Sequence, residues 1–424
     1  MPQAVAGRVG CGPLLRARAG TGDATAPLRQ QIFESVRAEG TISRAEIART
    51  LGVSPGSVTS AATELLSAGY LEETHAPPRD SEGTGRGRPP VALAVRPGAG
   101  LVAGIKLSET ANSAVLHDFA GGPVAQISEP GTGRAVPPAA LARIVARLVD
   151  AALAQAGRER HELDALGIGM PGFVDSAAGN VHWSTLIDRR NVPLRDVLER
   201  KLGLPVTVDN DANLLTLAEL WFGDGREVST FAVVTIEHGV GMGIVLDNRV
   251  FRGARGLGTE LGHIKVQLDG ALCRCGQRGC LEAYVADYAL VREASTALDW
   301  SMTDGLDAST ILARLHEEAK AGNAAARSIF RRAGRFLAVG LANVVNLFDP
   351  ELIILSGERM EYDFLYADEV LAEMIHAAIH VDRPPPRVEI HAWGDLIWAR
   401  GAAALALGQL TSLRLGSAGG LETV

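Results

Sequence analysis

The amino-terminal part of the chain contains three short segments whose apolar residues recur at helical spacing. Residues 28–40 form the first segment and end at a glycine, which tolerates the positive φ of a helix end. Residues 43–51 open with Ser43 and Glu46 at the spacing of a capping box. Residues 55–69 form the third segment, after a tight Gly-Val-Ser turn. The pattern therefore predicts three helices, of which the last two form a helix-turn-helix.

The third predicted helix presents small hydroxyl side chains on its outward face, and such side chains suit contacts to DNA phosphates and base edges. The residues expected to contact DNA, including one in the turn, are Ser54, Ser57, Thr59, Ser60 and Thr63. The helix contains no Arg or Lys. A small packing or dimerisation module is therefore the alternative interpretation of the three helices.

A β-hairpin is predicted after the third helix, from strands at residues 70–73 and 91–95. Three helices followed by such a hairpin are typical of a winged helix-turn-helix. The connecting loop contains Arg86-Gly87-Arg88-Pro89, and two arginines on an extended backbone can enter a narrow minor groove. We expect Arg86 and Arg88 to contact DNA there. A solvated linker is the alternative interpretation of this run.

From residue 97 onward predicted strands alternate with predicted helices, a pattern typical of an α/β fold. Two predicted hairpins, within residues 101–119 and 231–246, each open a strand-rich lobe, which indicates structural repetition without sequence identity. Helices are predicted at residues 141–156, 283–321, 324–348 and up to 407, and strands at 165–170, 206–209, 351–355 and 388–392.

Length and charge limit the classes of function. The chain has 424 residues, of which 47% are hydrophobic, enough to fill about three domains. Residues 1–96 contain eleven Arg against nine Asp and Glu, whereas the remainder contains 30 Lys and Arg against 40 Asp and Glu. We therefore do not expect the acidic remainder to bind nucleic acid. No apolar run of about eighteen residues and no secretion signal are found, so we expect a cytoplasmic protein without a membrane segment.

One imidazole and three thiols lie close together in the sequence, at His263, Cys273, Cys275 and Cys280. Such a set can surround one tetrahedral Zn²⁺. Because all four ligands come from the protein, the set indicates a closed, structural site without an open position for water. Three reduced core thiols are the alternative, although the interleaved Gly and Arg are typical of a ligand-bearing loop. The fourth cysteine, Cys11, lies alone near the amino terminus.

Carboxylate and amide side chains cluster where a predicted strand meets a predicted helix, in the run Asp209-Asn210-Asp211-Ala212-Asn213. A carboxylate at such a crevice can accept a hydroxyl proton, and an amide can hold neighbouring hydroxyls. Glu260 and Glu282 flank the zinc ligands, and the metal would bring them near one another. The sequence therefore predicts acceptors for a polyol. Helix capping and solvated glutamates are the alternative.

The chain resembles the ROK family of repressors, open reading frames and kinases, whose sugar-kinase core has the hexokinase/actin-like ATPase fold. The resemblance extends from Leu28 to Leu407 and implies a two-lobed domain with a structural zinc loop. It rests on the winged helix and on the runs Gly169-Met170-Pro171-Gly172, Asn210-Asp211-Ala212-Asn213, Glu260-Leu261-Gly262-His263, Cys273 to Glu282, and Val345-Asn346-Leu347-Phe348-Asp349-Pro350.

This resemblance implies a sugar site and also two departures from the family's kinases. The residues implied to contact the sugar are Asn210, Asp211, Glu260, His263 and Glu282, with Asp211 in the position of the kinase general base. Where kinases have Asp-x-Gly-Gly-Thr, this chain reads Lys106-Leu107-Ser108-Glu109-Thr110. Where they have a second loop beginning Gly-Thr-Gly, it reads Glu237-His238-Gly239. A lysine cannot serve Mg²⁺ and the two acids would repel phosphate, so we expect ATP binding to be lost and no residue to be catalytic.

The expected function is a DNA-binding regulator of carbohydrate metabolism, with repression favoured and no enzymatic activity. It would bind operator DNA as a homodimer or higher homo-oligomer, with a sugar or sugar phosphate as effector and zinc as a structural metal. An active ATP-dependent sugar kinase with an appended DNA-binding domain is the first alternative. A zinc-stabilised scaffold regulated by a protein partner is the second.

The expected domain order begins with a disordered lead and ends with a flexible tail. The ROK domain is divided into two lobes that shift when the effector binds. The expected bounds are 1–26 for the lead, 27–96 for the winged helix, 97–210 with 388–410 for lobe one, 211–387 for lobe two, and 411–424 for the tail.

Overall fold

The structure, a computed structural model, describes residues 10–14, 26–75, 91–298, 307–357, 360, 362–363, 368–379, 382, 384–392, 394 and 396–416. The chain divides into two compact units. The first comprises residues 1–227 with 395–424, and the second comprises residues 228–394.

The predicted winged helix-turn-helix is present in the first unit. Its elements are α1 (Leu28–Glu39), β1 (Thr41–Ser43), α2 (Arg44–Leu51), α3 (Pro55–Ser67), β2 (Leu71–His75) and β3 (Val91–Val95). β3 pairs antiparallel with both β1 and β2. Ser43 and Glu46 form the predicted capping box at the start of α2, and Gly40 follows α1 with a φ of 76°. The predicted loop containing Arg86 and Arg88 lies outside the described residues.

The first lobe of the ROK-like part is built on a five-stranded sheet. Its elements up to residue 227 are β4 (Leu101–Lys106), β5 (Ala111–Asp118), β6 (Pro123–Pro130), α4 (Pro138–Ala156), β7 (Ala165–Met170), β8 (Phe173–Asp175), β9 (Asn180–Trp183), α5 (Leu194–Leu202), β10 (Val206–Asn210) and α6 (Asp211–Phe222). The strand order is β6-β5-β4-β7-β10, with β4, β7 and β10 parallel and β4, β5 and β6 antiparallel.

The second unit contains a sheet of the same construction. Its elements are β11 (Phe231–Ile236), β12 (Val240–Leu246), β13 (Arg249–Phe251), α7 (Glu282–Val285), α8 (Asp287–Ala297), α9 (Ala308–Lys320), α10 (Ala324–Phe348), β14 (Leu352–Ser356), α11 (Asp368–Ala377) and β15 (Arg387–His391); α12 (Leu396–Leu415) then belongs to the first unit. The strand order β13-β12-β11-β14-β15 repeats the order of the first sheet, with three antiparallel strands extended by two parallel ones. This confirms the predicted structural repetition.

Two glycines allow α12 to lie directly on the first sheet. A Cβ at Gly104 of β4 would lie 2.1 Å from the backbone oxygen of Ala399, and one at Gly167 of β7 would lie 1.9 Å from that of Ala402. α6 packs on α12 as well. The neighbouring residue Ile105 belongs to the core that includes α4, and side chains alternate between the faces of a strand. Helices therefore cover both faces of this sheet.

The structure moves several of the expected domain bounds. α6 belongs to the first unit because it packs on α12, so lobe one extends beyond residue 210. β15 belongs to the second sheet because it pairs with β14, so residues 387–391 are not part of lobe one. Residues 411–415 of the expected flexible tail are helical, and Thr411 is buried, whereas residues 417–424 lie outside the described residues. Each of these bounds depends on long-range packing that the local pattern does not show.

The expectation of a disordered lead does not hold for residues 10–14. The backbone nitrogens of Cys11, Gly12 and Leu14 donate hydrogen bonds to the carbonyl oxygens of Arg37, Trp221 and Arg226, each 2.9 Å long. This segment is therefore fixed between the winged helix and the first lobe. The rest of the expected lead, apart from residue 26, lies outside the described residues.

Within the part of the chain that the structure describes, none of the helices combines the length and the apolar character that crossing a membrane requires.

Candidate functional site

The predicted polyol acceptors in the first unit stand where β10 meets α6. Asn210 is the N-cap of α6, and its Oδ1 accepts a 2.9 Å hydrogen bond from the backbone nitrogen of Asn213. Asp209 is fully buried and accepts a 2.8 Å hydrogen bond from Asn213 Nδ2. Asp211 Oδ1 accepts from the backbone nitrogen of Ala212 at 2.9 Å. The N-cap of α6 is thus Asn210, whereas the capping alternative assigned that role to Asp209, Asp211 and Asn213. These hydrogen bonds use only one polar atom of Asn210 and one of Asp211.

Two polar atoms at this helix end remain available to a ligand. Asn210 Nδ2 and Asp211 Oδ2 make no hydrogen bond with any other described residue. Burial raises the pKa of the Asp211 carboxyl from its ordinary value, and the positive charge of Lys106 opposes that rise. Lys106 stands at the end of β4, and its Nζ lies 3.9 Å from the centre of the Trp398 ring. The site thus offers an amide donor, a carboxylate acceptor and a nearby cation.

The loop after β4 is closed by its own side chains. Ser108 Oγ accepts a 3.0 Å hydrogen bond from the backbone nitrogen of Ala111. Asn112 Oδ1 accepts one of 3.1 Å from the backbone nitrogen of Ser108. Two backbone N–H groups that could approach a phosphate are therefore already bonded, and Glu109 adds a negative charge beside them.

The predicted metal ligands come together in the second unit. One ligand atom from each of His263, Cys273, Cys275 and Cys280 lies within 4.8 Å of the others. Cys275 Sγ and Cys280 Sγ are 3.7 Å apart, and Cys273 Sγ and His263 Nδ1 are 3.8 Å apart. Ligand atoms bound tetrahedrally at about 2.0–2.3 Å from one Zn²⁺ lie about 3.5–3.8 Å apart. Two of the ligand-atom separations match that geometry, and the four side chains together are close enough to bind one metal ion.

Polar side chains around these ligands orient the loop. Lys265 Nζ lies 2.9 Å from Cys280 Sγ and donates a 3.2 Å hydrogen bond to the backbone oxygen of His263. Tyr288 donates from its hydroxyl to Glu282 Oε1 at 3.4 Å and lies 3.6 Å from Cys273 Sγ. The ligand loop is thus joined both to the turn after His263 and to the helix after Cys280.

Glu282 and the turn that begins at Glu260 both approach Val240 of β12. Glu282 Oε2 accepts a 3.4 Å hydrogen bond from the Val240 backbone nitrogen. A Cβ at Gly262 would lie 2.3 Å from the Val240 oxygen, so the turn from Glu260 to His263 is pressed against that strand end. Glu260 also lines a mostly apolar cavity of about 370 Å³. Glu260, His263 and Glu282 therefore belong to one region of the second unit, whereas Asn210 and Asp211 belong to the first.

The predicted DNA-contacting residues of α3 are all exposed. Ser54 caps the helix by accepting from the backbone nitrogen of Ser57 at 3.1 Å. Thr59 and Thr63 bond to carbonyl oxygens one turn earlier, at 2.9 and 2.8 Å, and Ser60 faces outward as well. The structure thus places the five hydroxyl side chains on one accessible element, while the inward face of α3 is apolar.

The junction that fixes the winged helix to the first lobe was not predicted from the sequence. Arg226 is buried and donates from Nε to the Gly12 oxygen at 2.9 Å and from its other end to the oxygen of Ala38. Cys11 is buried as well, and burial raises the pKa of its thiol to about 11, so the neutral thiol donates to the oxygen of Ala120 at 3.2 Å. An isolated Cys and an Arg in a charged run gave no signal of burial.

Comparison with known proteins assigns this arrangement to a family. A model of the ROK family matches residues 103–409, and a model of winged helix-turn-helix DNA-binding domains matches residues 26–72. A solved structure described as a ROK family transcriptional regulator, homolog of the E. coli MLC protein, superimposes with a TM-score of 0.71 at 25% identity. The match covers 90% of this chain and 95% of that one.

Two relatives of known description are a repressor and a sugar kinase. The xylose repressor of Caldicellulosiruptor bescii is 29% identical over 348 residues, which cover 79% of this chain and 84% of that protein. The glucokinase of Streptomyces coelicolor is 34% identical over 233 residues, which cover 52% of this chain and 72% of that protein. The repressor thus aligns with a larger share of this chain than the kinase does.

Proposed function

This chain belongs to the ROK family, and we propose that it is a DNA-binding transcriptional regulator of carbohydrate metabolism, with a sugar or sugar phosphate as its effector. The observation that carries the proposal is a winged helix-turn-helix in the same compact unit as the Asn210–Asp211 helix end. The similarity to a xylose repressor supports it. A regulator of this kind would act in the cytoplasm, where its operator lies.

The proposed effector contacts use polar atoms that the fold leaves available. Asp211 Oδ2 would accept a hydrogen bond from a sugar hydroxyl, and Asn210 Nδ2 would donate one. Glu260 and Glu282 would accept from further hydroxyls. His263 directs Nδ1 to the cysteine cluster, so its Nε2 would be the atom that meets the sugar. Proposed sugar contacts and the proposed metal site therefore share His263.

Zinc is the proposed metal of the four-ligand cluster, and its role would be structural. Bound there, it would hold the turn after Glu260 and the start of α7 in fixed positions. His263, Cys273, Cys275 and Cys280 would occupy all positions of a tetrahedral ion and leave none for an activated water.

Loss of ATP binding is proposed from the charges in the two loops that correspond to phosphate-binding loops. Lys106 is a cation where a carboxylate would serve Mg²⁺, and Glu109 and Glu237 are anions beside the expected phosphate positions. Like charges at close range in a poorly solvated cleft cost on the order of several kcal/mol. The backbone nitrogens of Ser108 and Ala111 already donate hydrogen bonds within the loop, which further disfavours phosphate binding there.

DNA recognition is proposed for α3 and for the Arg86–Arg88 loop that follows β2. One recognition helix contacts too few base pairs to specify an operator, so two or more subunits would bind together. The residues proposed to contact DNA are Ser54, Ser57, Thr59, Ser60, Thr63, Arg86 and Arg88.

An active sugar kinase is the second candidate, because Asp211 is retained and a glucokinase is 34% identical over half of the chain. The test is to titrate xylose, glucose and N-acetylglucosamine by calorimetry and to assay each for ADP formation with Mg-ATP. A regulator is expected to bind at least one sugar or its phosphate, to bind no ATP and to form no ADP. Sugar-dependent ADP formation that Asp211→Asn abolishes would establish the kinase instead.

A further inference from the structure

Helices α6 and α12 lie side by side and reach from the candidate sugar contacts to the winged helix. Asn210 and Asp211 stand at the start of α6, and Trp221 stands in its last turn. A Cβ at Gly401 of α12 would lie 1.8 Å from the backbone oxygen of Leu214, so the two helix backbones touch. The twelve residues of α6 span about 18 Å. Because the backbones are in contact, a displacement at one end of this pair is transmitted to the other.

α6 and α12 both contact the same residue of the winged helix, Arg37 in the last turn of α1. Arg37 Nη1 donates a 2.9 Å hydrogen bond to Thr411 Oγ1 of α12. Its guanidinium carbon lies 4.5 Å from the centre of the Trp221 ring of α6 and 5.3 Å from that of Phe33. The side chain is enclosed, with 4% of the residue exposed. Arg37 therefore connects α1 to α6 and α12.

The chemistry of this contact indicates a role other than stabilisation. Among the described residues no carboxylate forms an ion pair with Arg37, although the charge of Glu34 offsets part of its desolvation, and Arg37 Nε has no hydrogen-bond partner. A buried cation in such surroundings costs free energy that an apolar side chain of similar size would not. Buried ionic groups of this kind are used in some proteins to fix one arrangement of two packed surfaces.

A short segment before α1 reinforces the same junction. The Cys11 nitrogen donates to the Arg37 oxygen, and the Gly12 nitrogen donates to the Trp221 oxygen, each at 2.9 Å. Arg226 donates from Nε to the Gly12 oxygen at the same distance. The carbonyl group of Arg37, which a helix end leaves without a partner, is thus bonded to a segment fixed to the end of α6.

α1 in turn contacts α3, the helix proposed to bind DNA. α1 packs directly on α3, and the inward residues Ile32, Phe33 and Val36 of α1 are fully buried. A shift of α1 would therefore be passed to α3 and its exposed hydroxyl residues.

We propose that Arg37 is the positioning residue that couples the sugar site to the DNA-binding domain, through its contacts with Trp221 of α6 and Thr411 of α12. This inference rests on the proposed function. A sugar that engages Asn210 and Asp211 shifts the start of α6, and Arg37 passes that shift to α1 and α3.

The test measures coupling in the full chain with Arg37→Met, which keeps an unbranched side chain and removes the charge and the hydrogen bond. Affinity for a fluorescent duplex, selected by the protein from a random library, is measured with and without saturating xylose, glucose or N-acetylglucosamine, or their phosphates. Calorimetry gives the sugar affinity of each variant. The matched control is Arg143→Met, at an exposed position of α4.

In the wild type we expect one sugar to change the DNA dissociation constant about tenfold. In Arg37→Met this ratio should fall below about twofold, with sugar affinity unchanged, whereas Arg143→Met should keep the wild-type ratio. If Arg37→Met does not fold, Thr411→Val tests the inference instead, because it removes only the hydroxyl that accepts the Arg37 hydrogen bond. It should reduce the ratio of DNA dissociation constants with and without sugar at least threefold. A wild-type ratio in the folded variants overturns the inference alone. A wild type whose DNA affinity no sugar changes contradicts the proposed function itself.

Discussion

Lys265 Nζ lies 2.9 Å from Cys280 Sγ, which makes an ammonium group the nearest charged neighbour of a proposed zinc ligand. One Zn²⁺ with three thiolates and a neutral imidazole has a net charge of −1. A cation in hydrogen-bond contact with a thiolate offsets that charge and steadies the ligand. Lys265 could not be singled out from the sequence, because a single lysine after a ligand histidine resembles any exposed lysine.

Replacing Lys265 is predicted to speed the release of zinc. Lys265→Gln removes the positive charge beside the thiolates, and we expect zinc transfer to a colorimetric chelator to become about threefold to tenfold faster. Lys320→Gln, at an exposed lysine at the end of α9, is the matched control and should release zinc at the wild-type rate. Equal rates for the two variants would mean that Lys265 does not stabilise the site.

Removal of a ligand is predicted to affect metal and effector together. Cys275→Ser should lower the zinc content of the purified protein from one equivalent and weaken sugar binding in calorimetry. The physical reason is that the ligand cluster fixes both the turn after Glu260 and the start of α7 at Glu282. Cys11→Ala, a buried cysteine outside the cluster, should keep one equivalent of zinc. Normal sugar binding by a zinc-free variant would show that sugar binding does not depend on the metal site.

Buried His117 is predicted to make the protein sensitive to acid. Burial lowers the pKa of His117 from 6.5 to about 4, and Gly121 O lies 2.8 Å from its Nδ1. Because the unfolded chain binds the proton more readily, His117 contributes its full stabilisation above pH 6.5. That contribution falls as the pH drops and is gone below about 4.

Urea unfolding at pH 7.5 and pH 5 measures this loss, which should be about 2 kcal/mol for the wild type from His117 alone. His117→Gln removes the titrating ring and should show a correspondingly smaller difference between the two pH values. The exposed His161→Gln should behave like the wild type. An unchanged pH dependence in His117→Gln would rule out the buried neutral imidazole as the cause.

The loop between β2 and β3 is predicted to supply phosphate or minor-groove contacts. Arg86→Ala combined with Arg88→Ala should lower DNA affinity and reduce the slope of log Kd against log salt by about one to two units, because two cations no longer displace counterions. Arg158→Ala, an exposed arginine of the first lobe, should leave the slope unchanged. If the salt dependence of the double variant equals that of the wild type, Arg86 and Arg88 do not contact DNA.

Local patterns predicted the elements whose chemistry is local. The bounds of α10 match the prediction at residues 324–348, because 25 residues of strong amphipathic character determine a helix without further context. The capping box of Ser43 and Glu46 and the clustering of the four zinc-type ligands followed equally from spacing. Such features depend on neighbours along the chain.

Features that depend on distant packing were not predicted. β6 is mostly exposed and has few apolar residues, so no alternation marked it as a strand. β15 was assigned to the wrong lobe, because its pairing with β14 lies outside any local window. Arg37 occupies an amphipathic helix at a position that composition assigns to solvent, and only the fold shows Trp221 and Thr411 enclosing it.

The most direct test of the central claim is the affinity of the zinc-loaded protein for its selected DNA duplex, measured by fluorescence anisotropy against a titration of each sugar and sugar phosphate. The account predicts that one of them changes the dissociation constant about tenfold or more, to the same extent with and without Mg-ATP, and with no ADP formed. DNA affinity that no sugar changes, or a sugar that is phosphorylated at the expense of ATP, would contradict it.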